Sequence, residues 1–208
     1  MPRILEKTER RLGEKLFLKG DRCVGPKCAL TRRSYPPGAR GKSRRRGRGL
    51  SEYGELLQEK QKVRFLYGLD DSDIKRYTKK GELMAGVFSY NFWRMLESRL
   101  DNAVFRLGLA PSRRIARQMV THGHIGLNGR RVNIPSVQLK TGDTVSIKES
   151  SQRSALFREL DSRLKKVEPP VWLSLDKVRK AGKVIAPPEV EHLEIDFNAT
   201  KIKEFYSR

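Results

Sequence analysis

APSRRIARQMVTHGHIGLNGRRV occupies residues 110–132, and its hydrophobic period changes half-way along. Ser112 offers a side-chain oxygen to open a helix. At 100° per residue, Arg113, Arg114 and Arg117 fall on one helical face and Ile115, Ala116 and Met119 on the other. Gly123 supplies the left-handed residue that closes a helix. Beyond it the apolar residues alternate. Ile125 and Leu127 precede an Asn128-Gly129 two-residue turn, and Val132 and Ile134 follow it. The stretch therefore reads as a helix running into a β-hairpin. Upstream, NFWRMLESRLDNAVFRLG (91–108) continues a helix that begins near Ser89, with Leu96, Leu100, Ala103, Val104 and Leu107 as its buried stripe and Gly108 as its stop. Downstream, Val137, Leu139, a Gly142-Asp143 turn, Val145 and Ile147 extend a small sheet. The unit is two helices followed by short strands, an α+β pattern.

From Ala110 to Val132 there is no Asp or Glu. A solvated face normally mixes signs, so this run of cations points to a polyanion. Guanidinium forks suit phosphate oxygens and stack on exposed bases. Arg113, Arg114, Arg117, Arg130 and Arg131 are the candidate contacts, with Asn128 at the turn between them. His122 and His124 flank Gly123. A metal site needs three or four converging ligands. No Cys, Asp or Glu follows within ten residues, and His192 is remote in sequence. No nucleophile or orienting carboxylate is spelled out nearby. Two readings stay open for each histidine. One finishes a helix and starts a strand; the other touches phosphate or base beside the arginines.

The composition agrees with a polyanionic partner. The 208 residues hold 45 Lys/Arg against 24 Asp/Glu, a formal charge of +21. Residues 1–50 carry 16 basic and 4 acidic side chains, so over half the excess lies in the first quarter. YPPGARGKSRRRGRG (35–49) contains Arg40, Lys42, Arg44, Arg45, Arg46 and Arg48. Its glycines and prolines forbid a regular helix. With Arg32 and Arg33 just ahead, it reads as a basic arm that folds against a negative surface. With 37% apolar residues, small domains and extended segments are expected. No run of 18 apolar residues suggests a membrane span, the first residues lack a leader's apolar stretch, and two cysteines make no disulfide framework, so a cytosolic location is expected.

Ser51 opens a further helix over 51–68, closed by Gly68. DDSD (70–73) opens another, with Ile74 and Tyr77 on its apolar side. From Ser151 the chain reads as polar helix to about Lys166, and Pro169-Pro170 breaks it. WLSLD (172–176) and KVIAP (183–187) read as short strands. The ending IKEFYSR is amphipathic, with Ile202, Phe205 and Tyr206 available to pack on a body elsewhere.

LESRLDNAVFRLGLAPSRRIARQMVTHGHIGLNGRRVNIPS closely resembles the RNA-binding module named after the fourth small-subunit ribosomal protein. LKGDRCVGPKCAL, RRSYPPGARG, LQEKQKVRFLYG, PPVWLSLD and the terminal EFYSR resemble the bacterial branch of that family over nearly the whole length. The resemblance implies a helical domain (51–95 with 170–208), a domain holding the module (96–169, core 96–150) and an extended basic arm (1–50). It implies a cytoplasmic, ribosome-bound protein that binds a helix junction in the 5′ domain of small-subunit ribosomal RNA. It further implies that the protein nucleates assembly of the subunit body, lies where messenger RNA enters, touches the fifth small-subunit protein and affects decoding accuracy. Some family members carry four cysteines that bind zinc or an iron–sulfur cluster. Here Cys23 and Cys28 match the second pair, but Glu6 and Glu9 stand where the first pair falls, so no metal or cofactor is expected.

Two other classes compete. The same module occurs in pseudouridine synthases, which use an aspartate in a Gly-Arg-Leu-Asp motif, and SRLD (98–101) is superficially similar. Asp101, however, falls inside an amphipathic helix, where an exposed acid pairing with the arginine face is the simpler reading. The chain also lacks room for a separate catalytic domain. A free-standing RNA chaperone built on the module would not need the flanking motifs. The sequence therefore reads as a binding protein and not as an enzyme.

Overall fold

The computed structural model describes residues 6–38, 50–189 and 197–207. They divide into two compact units. One spans Met1–Phe92 and Ile195–Arg208, and the other Trp93–Glu194. Arg40, Lys42, Arg44, Arg45, Arg46 and Arg48 lie outside the described residues, as does His192.

The first unit is helical. Three short helices, α1 (Glu6–Leu12), α2 (Asp21–Val24) and α3 (Ala29–Arg32), precede α4 (Glu52–Leu66) and α5 (Asp71–Leu83). The expectation of an irregular, extended stretch over 1–50 is thus corrected for residues 6–38. Leu16, Leu18, Cys23 and Cys28 are buried and give this segment a small core of its own. Ser51 caps α4 by accepting from the Gly54 amide at 3.2 Å. The chain returns as α10 (Ala199–Ser207), which packs on α4 and α5. Its Ile202 is fully buried, and the Phe205 ring lies 5.7 Å from Tyr53 and 4.7 Å from the Lys60 ammonium. Phe197, just ahead of α10, meets Tyr67 and Phe92 edge-on.

The helix α6 (Phe88–Glu97) contains the division between units. Next come α7 (Leu100–Arg106), α8 (Arg113–Thr121), β1 (Ile125–Leu127), β2 (Arg130–Arg131), β3 (Thr144–Ile147), α9 (Leu160–Lys166), β4 (Leu173–Asp176) and β5 (Ala181–Val184). The five strands form one antiparallel sheet in the order β2-β1-β3-β5-β4. One face carries Ile125, Val145, Ile147, Leu173 and Val184 into a core shared with Leu100, Leu107, Met119, Leu160 and Trp172. Each such side chain contributes about 1.5–3 kcal/mol relative to exposure.

Three expectations change here. The single helix expected from Ser89 to Gly108 breaks at Ser98-Arg99. Arg99 takes an extended conformation and bridges Gln138, while the Leu100 amide donates to the Val137 carbonyl and the Leu139 amide to the Ser98 carbonyl. The domain boundary also shifts. Residues 173–184 were expected with the helical domain, but β5 pairs with β3 and β4 pairs with β5, so both strands belong to the module's sheet. Finally, the helix expected over 151–166 is two 3-10 turns followed by α9.

Candidate nucleic-acid interface

Helix α8 builds the cationic face. Ser112 caps it by accepting from the Ile115 amide at 3.4 Å, and Ala116, Met119 and Val120 face the core. Arg113, Arg114 and Arg117 therefore leave on the opposite side. The helix ends in a Schellman motif. The Gly123 amide donates to the Val120 carbonyl at 2.8 Å and the His124 amide to the Met119 carbonyl at 3.0 Å. Gly123 sits at φ +73°, and a Cβ there would collide with the Arg131 guanidinium. This glycine sets the helix end and seats an arginine of β2 against it.

The three arginines of α8 are not equivalent. Arg114 is exposed, with no hydrogen-bond or ion-pair partner for its guanidinium among the described residues. Arg113 donates from Nε to Asn102 Oδ1 at 2.8 Å and lies 4.5 Å over the Phe105 ring. Arg117 approaches Asp101, Nη1 to Oδ2, at 3.9 Å. Behind them lies a buried polar network on α6 and α7. Asp101 accepts from Arg99 Nε at 2.9 Å and Nη2 at 2.7 Å, and from the Asn102 amide at 2.9 Å. Glu97 accepts from Asn102 Nδ2 at 2.9 Å and Arg106 Nε at 3.1 Å. Arg99 is 1% exposed and Asp101 4%, so the expectation of an exposed acid at 101 is corrected. These groups hold Arg113 and Arg117 from beneath. Sequence reasoning missed Glu97, Arg99, Asn102 and Arg106 because a charged residue in an amphipathic helix is usually read as solvated.

The histidines now separate. His122 is the exposed C-terminal cap residue of α8. His124 is half-buried, with Nδ1 at 3.0 Å from Ser151 Oγ and its ring 6.1 Å from Phe157. The second is anchored in the fold. Asn128, at φ +50°, donates from Nδ2 to Asp143 Oδ1 at 2.8 Å and accepts from the Thr144 amide at 2.8 Å, so its side chain locks the hairpin to β3. Arg130 and Arg131 are exposed on β2. Arg32 and Arg33, also exposed, belong to the first unit with Arg10, whose Nε donates to the Arg33 carbonyl at 3.0 Å.

At the family's metal position Glu6 and Glu9 stand with Cys23 and Cys28, and both carboxylates already have partners. Glu9 is buried, and its Oε1 accepts from the Leu16 amide at 3.0 Å and the Leu18 amide at 3.4 Å. Glu6 pairs with Arg22 at 2.9 Å. Hydrogen bonding from the Thr31 backbone holds the Cys28 thiol below its ordinary value, whereas burial pushes Cys23 up. Among the described residues, no three His, Cys, Asp or Glu side chains converge. The Glu9 carboxylate accepts from loop amides and from the Cys23 thiol at 3.9 Å.

The sequence families agree with this architecture. The profile of the S4 domain matches residues 98–145, and that of the ribosomal protein S4/S9 N-terminal domain matches residues 5–97. A small ribosomal subunit protein uS4 from Halothermothrix orenii is 50% identical over 199 residues, covering 96% of this chain and 94% of its own. The chain belongs to the uS4 family of small-subunit ribosomal proteins. The uS4 proteins of Syntrophomonas wolfei and Desulfitobacterium hafniense are 46% and 48% identical over the same shares. The two profiles meet at residues 97 and 98, where the long expected helix breaks. Membership of this bacterial uS4 family, a family of ribosomal structural proteins, sets aside the pseudouridine-synthase reading of Asp101. Among the described residues, no helix is long and apolar enough to cross a membrane.

Proposed function

We propose that this uS4-family chain is a structural constituent of the small ribosomal subunit that binds ribosomal RNA directly. The observation that carries this reading is the acid-free α8–β2 face, with two of its arginines held from beneath by buried Asp101 and Asn102. A pre-oriented guanidinium loses little freedom when it meets a phosphate. The face recognises a folded junction in the 5′ domain by shape and phosphate placement, with Arg113, Arg114, Arg117, His122, Arg130 and Arg131 as contacts. Asn128 and His124 hold the geometry and offer secondary contacts. Arg32, Arg33 and the cations from Arg40 to Arg48 grip further phosphates. Early binding there nucleates the subunit body, and the bound protein faces its neighbours, the fifth small-subunit protein and incoming messenger RNA among them, with a consequent influence on decoding accuracy. It works in the cytoplasm, ribosome-bound, without metal or other cofactor.

The test is binding of the full chain to 5′-domain RNA, followed by reconstitution of small subunits with and without it. Tight, salt-sensitive binding and stalled body assembly in its absence are expected. Assembly that proceeds normally without the chain, or binding unaffected by Arg114→Ala together with Arg130→Ala, overturns the reading. A transient chaperone would leave the subunit in a high-salt wash; this protein is expected to stay.

A further inference from the structure

The sheet has a second face, which the core does not use. Arg131, Gly126, Ser146 and Ala181 stand in one registered row across β2, β1, β3 and β5. They form the floor and one edge of an open groove of about 930 Å³. Its walls carry Lys148, Arg179 and Gln152, with Glu149 as the one carboxylate among its lining residues. Arg131, Lys148, Gln152 and Arg179 are exposed. Arg179 pairs loosely with Asp176 at 3.7 Å, and the Arg131 and Lys148 head groups have no ion-pair partner among the described residues.

We propose that this groove is a second RNA site, which holds one single-stranded segment by its sugar–phosphate backbone through Arg131, Lys148 and Arg179. The proposal rests on the reading of the chain as an RNA-binding protein. Three features argue for it. The lining is cationic, so an anionic chain gains from entering it. Neighbouring strands lie about 4.8 Å apart, so a floor spanning β1, β3 and β5 is about 10 Å across, which suits one strand and not a duplex. Arg131 also rests against Gly123 at the end of α8, so one edge of the groove reaches the end of that helix. No aromatic side chain lines the groove among the described residues, so bases find no stacking platform there. The grip falls on phosphate and ribose and is indifferent to sequence. An apolar protein segment is disfavoured, because Val178 is the one exposed large apolar side chain in the lining among the described residues and three cations surround it.

The test uses the full chain and a labelled oligouridine of about 12 nucleotides. Lys148→Ala with Arg179→Ala is compared with Lys165→Ala with Lys166→Ala, an equal loss of charge on exposed positions of α9, away from the groove. The groove pair is expected to weaken oligouridine binding about fivefold or more, and the α9 pair less than about twofold. Oligoadenine should bind within about twofold of oligouridine. Equal weakening by both pairs, or no oligonucleotide binding by the unaltered chain, overturns the proposal. As a readout independent of any variant, Lys148 should be protected from acetylation when the oligonucleotide is bound; an unprotected Lys148 on a saturated protein also overturns it. In assembled subunits, a photo-crosslinker at position 152 should reach RNA, and capture of a protein neighbour instead would refute the assignment. Loss of 5′-domain binding by Arg114→Ala is a separate result, so the main reading and this one fail independently.

Discussion

Arg113, Arg114 and Arg117 look interchangeable on a helical wheel, and the structure makes them three different residues. Arg114 is exposed and has no partner for its guanidinium among the described residues, so Arg114→Ala should weaken ribosomal RNA binding several-fold while urea unfolding shifts by less than about 0.5 kcal/mol. Arg117 leans on Asp101, and Asp101 also neutralises buried Arg99. Asp101→Ala removes the bidentate carboxylate from a guanidinium that is 1% exposed. The expected cost is about 3 kcal/mol in urea unfolding, because breaking a buried ion pair from one side costs more than the pair itself contributes. A change under about 1 kcal/mol would mean that water reaches Arg99 readily. Gly123→Ala imposes an αL strain of about 1–2 kcal/mol and displaces the Arg131 guanidinium. Both stability and RNA affinity should fall, which distinguishes it from Arg114→Ala.

At the scale of elements, the hairpin and α8 were legible because local chemistry alone dictates them. Ser112, Gly123 and Asn128-Gly129 each do the job that their backbone positions demand, and the 3.6-residue period of α8 gives way to alternation within three residues. The break at Ser98-Arg99 was not legible, because nothing in LESRLD opposes a helix. It arises from pairing with Gln138, some forty residues away. The strand expected over 172–176 is β4, and the one expected over 183–187 overlaps β5 only at Lys183 and Val184; the partner of neither was legible, since alternation names a face and not a neighbour. The helix packing of the first unit yields a prediction in pH. Burial of Asp71 opposes its ionised form, but the hydrogen bond and charge of Lys60, with Tyr206 and Arg64, together outweigh this and hold its carboxyl below the ordinary 3.8. A depressed folded value means that the stabilisation is present above the unfolded value and is lost as pH falls through the lower folded one. The stability gap between the native chain and Asp71→Asn should therefore be present near neutral pH and close in acid. The Asp71 side chain is 53% exposed, so solvent screening keeps that gap to about 1 kcal/mol or less. A gap that widens in acid would refute the assignment.

For the whole molecule, the uneven charge becomes a statement about how binding is divided. A net +21 is costly for a chain on its own, since like charges oppose compactness, and it is relieved only when phosphates arrive. If about ten phosphates are neutralised, the logarithm of affinity should fall against the logarithm of salt with a slope of roughly −7 to −9. The tract from Arg40 to Arg48 supplies six of the cations, and α8 with β2 supplies five. Replacing those six by serine should reduce the slope by about 4 to 5 if each meets a phosphate. Discrimination between the correct junction and unrelated RNA should persist, because the arginines held in place by buried partners lie on α8 and not in the tract. The α8–β2 face is rigid and should behave the other way: its variants cost specificity as well as slope. A salt titration of both variant sets against specific and unrelated RNA separates the two contributions. If loss of the tract abolished discrimination instead, recognition would reside in the N-terminal segment, and the buried network under α8 would serve stability alone.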